Sequence, residues 1–136
     1  MAKQMFLNLP VKDLNKSMEF FAKLGFTFNS QFTDVNAACM IIGENIYAML
    51  LLEKFFSTFT NKPISNAKEQ TEVLIALDAS NRQEVDDIVS KAVAAGGRIY
   101  RDPQDMGFMY SHSFEDLDGH QWEYVYMDPN HVNQTI

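Results

Sequence analysis

A chain of 136 residues, 46% hydrophobic and 21% charged, holds enough apolar matter for one buried core and too much to remain disordered. A net charge of −7 without a basic stripe weighs against a nucleic-acid partner and leaves a cationic small molecule as the better electrostatic match. One cysteine, Cys39, rules out an intrachain disulfide or a zinc–thiolate cluster; without a signal-like leader or a membrane-length apolar run, a cytoplasmic location and no membrane partner are expected.

Residues 5–11 alternate loosely and carry aromatic and β-branched side chains, the pattern of a strand, and Pro10 places that strand near a sheet edge. Asp13 is a candidate N-cap for a helix in which Leu14, Met18, Phe21 and Leu24 recur at helical spacing until Gly25 stops it. Alternation returns over residues 26–32, and residues 35–42 and 45–52 read as two more strands joined through Gly43-Glu44. Residues 1–53 therefore predict a β-α-β-β-β module. The segment 54–70 holds Pro63 and many polar residues, as a linker does, yet Phe55, Phe56 and Phe59 predict a flap packed on apolar surface.

Residues 72–77 begin the pattern again. Ser80 can cap a helix with Gln83 reaching back, and Val85, Ile88, Val89 and Ala92 form its apolar stripe before Gly96-Gly97. A short strand over 98–101, a loop over 103–107 and two strands over 108–114 and 121–127 follow, the last pair joined by the turn Asp116-Leu117-Asp118-Gly119. Residues 71–128 thus repeat β-α-β-β-β, with a polar tail over 129–136. The expected fold is α+β: a single domain over 1–136 of two tandem modules, forming a curved mixed sheet around a cleft.

Strand alternation puts Gln121, Glu123 and Val125 on one side and Trp122, Tyr124 and Tyr126 on the other. A carboxylate among apolar neighbours must be paired, coordinated or solvated, which singles out Glu123. His112 shares a face with Tyr110 and Phe114 and is placed in the cleft near Glu123, where an acid–base pair needs hydrogen-bond reach; the plain alternative is a strand histidine without a catalytic role. His120 reads as a turn or surface group and His131 as part of a solvated tail. Tyr47, Tyr100, Tyr110 and Trp122 could stack on a planar or cationic ligand, although aromatics at strand spacing also read as core, the default for Trp122. Cys39 reads as a buried, inert thiol, and Glu84, Asp86 and Asp87 as the solvated side of the second helix. Gly96-Gly97 follows a helix instead of opening one, so it forms no phosphate loop.

The runs Leu9-Pro10-Val11-Lys12-Asp13-Leu14, Phe20-Phe21, Leu24-Gly25-Phe26, Asp116-Leu117-Asp118-Gly119-His120 and Trp122-Glu123 together resemble the vicinal oxygen chelate superfamily, which includes glyoxalase, the bleomycin-resistance proteins and extradiol dioxygenases. Thr71-Glu72-Val73, Gly107-Phe108-Met109-Tyr110 and Met127-Asp128-Pro129 are similar to a bacterial branch related to lactoylglutathione lyase. The resemblance implies the paired-module fold, a homodimer and a small organic molecule as partner. It also implies His, Gln or Glu metal ligands at four strand positions, which here are Phe6, Met49, Leu74 and Glu123. Only Glu123 carries a donor suited to a hard divalent ion, so the expectation is no standard metal site and no cofactor. The leading reading is a cleft lined by Phe6, Asn8, Tyr47, Met49, Leu74 and Tyr110, with Glu123 as acidic anchor and His112 as its candidate catalytic partner. It would act by sequestration or by chemistry the sequence does not name. The alternative is a metal-dependent lyase or extradiol-type dioxygenase, in which Glu123, His112 and ligands from a second subunit hold a divalent metal.

Overall fold

In the computed structural model, which describes residues 1–131, helix α1 (Leu14–Lys23) begins where Asp13, held extended, accepts the Lys16 N–H on its carboxylate at 3.1 Å. Leu14, Phe20 and Phe21 are buried, and the Phe20 and Phe21 rings meet edge to face at 5.0 Å. This helix packs on the sheet of the first of two units, Met1–Ser65 and Asn66–Ile136. Its strands are β1 (Met5–Val11), β2 (Thr27–Asn29), β3 (Ala37–Gly43) and β4 (Ile46–Leu52), in the order β1-β4-β3-β2 with β1 parallel to β4. In register, Leu9 lies beside Leu50 and Leu7 beside Ala48, while Ala38 and Met40 pair with Leu50 and Ala48, which makes one buried face. Pro10 does lie on an edge strand, where its missing N–H is harmless.

Two boundaries differ from expectation. The strand expected over 26–32 ends at Asn29, whose side chain accepts the Gln31 N–H at 3.0 Å and turns the chain into a short 3-10 turn, Ser30–Phe32. The hairpin between β3 and β4 turns through Glu44 and Asn45, with Asn45 at a φ of 65°, because Gly43 already pairs with Ile46. In the 54–70 segment, α2 (Glu53–Phe56) and a 3-10 turn, Ser57–Phe59, replace irregular chain, and α2 packs on β1 and β4. Phe55 and Phe59 meet edge to face at 5.1 Å, but Phe59 stays 65% exposed, so the flap buries only part of its aromatic surface.

The second unit repeats the first. Its strands β5 (Leu74–Asp78), β6 (Gln104–Asp105), β7 (Met109–Glu115) and β8 (Gln121–Met127) run in the order β5-β8-β7-β6, again with the first parallel to the last, and α3 (Arg82–Ala94) covers one face. The duplicated α+β architecture read from the sequence is therefore present as two four-stranded mixed sheets. The cap of α3 is Asn81 instead of Ser80: Asn81 accepts the Glu84 N–H at 2.8 Å, and Glu84, not Gln83, reaches back to the Ser80 N–H at 3.4 Å. The stripe beneath α3 is Val85, Val89 and Ala92, with Ile88 half-buried.

The strand expected over 98–101 is not formed. Arg98 alone bridges to Glu115, through paired backbone bonds and a 3.1 Å ion pair, and pairing with β7 resumes only after Pro103. The pairing lost there is supplied at β6, inside what read as a loop. Arg82 pins this strand by gripping both Asp105 oxygens, at 2.8 and 3.1 Å, and the Gly107 carbonyl at 3.0 Å. That grip holds the Asp105 carboxyl below the usual carboxylate range.

The turn between β7 and β8 is built on a buried carboxylate. Asp116 Oδ1 accepts the N–H groups of Asp118 and His120, each at 3.0 Å, and Oδ2 accepts the indole N–H of Trp122 at 2.9 Å. Burial pushes this carboxyl up, and the nearby His120 and the indole pull against that shift. His120, read as a turn or surface group, lies in this turn but is buried, because the turn folds it back beside Asp116.

Candidate functional site

A helix packs on each sheet, α1 on β3 and β4 and α3 on β7 and β8, and the face opposite Leu9 and Leu50 in the first and opposite Trp122 in the second leaves side chains such as Phe6 and Leu74 open to water. On the open face of the first unit, the β1–β4 register sets Phe6 beside Tyr47 and Asn8 beside Met49. The Phe6 and Tyr47 rings stack at 5.0 Å and 13°, and Phe6 remains 51% exposed. Large aromatic surface held flat and wet in this way is suited to receive a second planar group. Cys39 shares this face as the partner of Met49; it is buried, as expected, and burial pushes its thiol up, which disfavours the thiolate.

On the open face of the second unit, Glu123 lies beside Ala76 of β5 and opposite Ser113 of β7, with Leu74 on the same face and 60% exposed. Among the described residues no side chain pairs with the half-buried Glu123 carboxylate. An anion partly withdrawn from water without a counter-charge favours a cationic or hydrogen-bond-donating visitor.

Of the residues predicted to line a cleft, Phe6, Asn8, Tyr47 and Met49 come together on one open face, and Leu74 and Glu123 share the other. Tyr110 and His112 do not join them. His112 pairs with Tyr124 and Tyr110 with Tyr126, on the face that carries Trp122 and lies under α3, whereas Glu123 pairs with Ser113. The Glu123–His112 acid–base pair is therefore not formed: the two side chains leave the sheet on opposite sides. Trp122 is fully buried there, in keeping with its reading as core.

The environment of Tyr110 was not visible in the sequence. Its hydroxyl donates to Asp86 at 2.6 Å, and the Arg82 guanidinium lies 5.1 Å from its ring centre. Asp86 thus has a specific task on a helix side read as merely solvated; the only signal was its spacing four residues after Arg82, which puts both on one helical face. The hydrogen bond to Asp86 and partial burial push the Tyr110 phenol up to about 12. The folded value lies above the unfolded one, so this bond's contribution to stability is complete below the ordinary phenol range and is lost as pH rises through about 12. Titration of phenolate absorbance will show a late step near pH 12 in the native chain, ahead of the still later Tyr124, whose phenol burial pushes up further, and Tyr110→Phe will abolish the step near pH 12 alone.

A resident divalent ion needs several oxygen or imidazole donors around one point. Phe6 and Leu74 have no donor atom, Met49 offers a soft thioether, and Glu123 alone supplies a carboxylate. Among the described residues, no three His, Cys, Asp or Glu side chains cluster closely enough to hold an ion. This donor set does not fit a resident metal. Among the described residues, no helix is long and apolar enough to cross a membrane.

The sequence profile of the bleomycin resistance protein-like N-terminal family matches residues 3–43. Among solved structures, hypothetical protein SA1046 from S. aureus is 33% identical, with 93% of this chain and 95% of that one covered and a TM-score of 0.78. A glyoxalase/bleomycin resistance protein/dioxygenase family enzyme from Burkholderia phytofirmans is 15% identical with a TM-score of 0.79, over 93% of this chain and 99% of that one. The fosfomycin resistance protein FosX from Listeria monocytogenes is 18% identical with a TM-score of 0.68, over 96% and 97%. These last two show likeness of fold. No curated protein matches the chain.

Proposed function

Because this chain belongs to the vicinal oxygen chelate superfamily, the glyoxalase, bleomycin-resistance and dioxygenase group, we propose that it is a metal-independent binding protein for a small, cationic organic molecule. The observation that carries this reading is Glu123: a half-buried carboxylate on an open sheet face, flanked by Ala76 and Ser113, with no partner among the described residues. A cation brought to it replaces a costly unpaired charge with a pair, and the net charge of −7 draws such a ligand in. The names of its structural relatives include bleomycin and fosfomycin resistance, which supports a bioactive small molecule as the ligand; sequestration is the activity proposed for it. Further proposals are that the protein works as a homodimer in the cytoplasm.

A thermal-shift screen of cationic aromatic compounds, followed by calorimetry, tests the proposal. Hits are expected to raise the melting temperature in a concentration-dependent way. Glu123→Gln will weaken them by roughly tenfold or more, since it removes the charge and keeps the shape. A hit that binds Glu123→Gln as well as the native protein removes Glu123 from the site. Added nickel, zinc, manganese or iron will leave the melting temperature unchanged; a large stabilisation by any of them favours the metal-dependent lyase or dioxygenase reading instead.

A further inference from the structure

Between α3 and β7 lies a cavity of about 440 Å³, within the range that takes a small organic ligand. Its walls are apolar, chiefly Val89, Val93 and Ile99; its polar groups are Asp86, Ser90 and His112. Val93 and Ile99 remain 45% and 46% exposed, so apolar surface at the rim is left in water. Within this lining, His112 Nε2 is buried and has no hydrogen-bond partner. A buried polar nitrogen left unpaired is costly, and because its ring borders the cavity, a small rotation that admits a ligand atom to Nε2 would relieve that cost.

The lining also narrows the chemistry of the ligand. Asp86 already accepts the Tyr110 hydroxyl at 2.6 Å, and an acidic side chain at one end of the cavity disfavours a carboxylate or phosphate there. A neutral imidazole presents either an N–H or a lone pair at Nε2, and a hydroxyl group, which both donates and accepts, matches either tautomer. We infer that this cavity is a binding site for an uncharged, largely apolar alcohol or phenol, with its hydroxyl on His112 Nε2 and its hydrocarbon part against Val89, Val93 and Ile99. The site is separate from the open face that carries Glu123, because His112 and Glu123 project from opposite sides of the β7–β8 ladder.

The test uses the full chain with 4-ethylphenol and with ethylbenzene, its counterpart lacking the hydroxyl, followed by calorimetry and by the imidazole resonances of His112. 4-Ethylphenol will bind and shift the His112 signals, and ethylbenzene will bind roughly tenfold or more weakly, the loss expected for one buried hydrogen bond. His112→Phe will erase the preference for the phenol. Val93→Arg, a change at the exposed rim that spares the core, will block both probes, while Glu123→Gln will alter neither. Equal affinity for the two probes, no binding of 4-ethylphenol at millimolar concentration, unmoved His112 resonances or undiminished binding to Val93→Arg would each overturn the assignment.

Discussion

Asp116→Asn lowers the stability of this chain by about 3 kcal/mol in urea unfolding, although it removes no atom from the core. The Asp116 carboxylate is 5% exposed and uses both oxygens: Oδ1 for the backbone N–H groups of Asp118 and His120, Oδ2 for the Trp122 indole. An asparagine that keeps its oxygen on the two backbone donors must turn its own NH₂ toward the indole N–H. Two buried donors then face each other, neither is satisfied, and Trp122, which is 0% exposed, cannot reach water without opening the turn. Flipping the amide serves the indole and orphans both backbone donors instead. A companion substitution tests this account. Trp122→Phe removes the indole donor, so Asp116→Asn combined with Trp122→Phe will cost less than the sum of the two single changes. Strict additivity would show that the indole bond is not the source of the loss.

Gly119→Ala in the same turn costs a further large amount, about 3 kcal/mol, from strain and overlap together. Gly119 has a φ of 90°, and a Cβ placed on it meets the backbone of Lys68, 2.7 Å from its nitrogen and 2.8 Å from its Cα. Backbone at that distance cannot swing aside as a side-chain tip can. The Lys68 backbone is itself fixed, since its N–H donates to Asn66 Oδ1 at 3.1 Å. Gly25→Ala separates the two contributions. Gly25 has a similar φ of 104° with nothing within 4 Å of the added Cβ, so it carries the conformational cost alone, about 1 kcal/mol. Urea midpoints for both variants check the difference; equal losses would mean that Lys68 yields and the overlap contributes nothing.

Much of the fold was legible in the residues. The order of strand, helix and three strands, used twice, follows from the apolar spacing of Leu14, Phe21 and Leu24 and of Val85, Val89 and Ala92, and from the alternation along β4 and β8. Boundaries moved where a side chain captured backbone: Asn29 ended β2 early, Asn81 took the cap from Ser80, and Arg82 with Asp105 made a strand of a loop. These are competitions between nearby polar groups for the same N–H or carboxylate, and spacing alone does not rank them.

The chain by itself settled what each strand presents: Glu123 on the side opposite Trp122, and His112 on the side of Tyr110 and Phe114. It did not settle how those two strands face each other. Alternation is a property of one strand, whereas the shared face of two depends on register, and a slip of one residue exchanges every side chain between faces. Glu115 pairs with Gln121, which leaves residues 116–120 in the turn, and Asp116 holds that length by binding the N–H groups of Asp118 and His120. A turn one residue shorter or longer would have brought His112 to the side of Glu123. The folded hairpin instead sends one to the open face and the other to the cavity beneath α3.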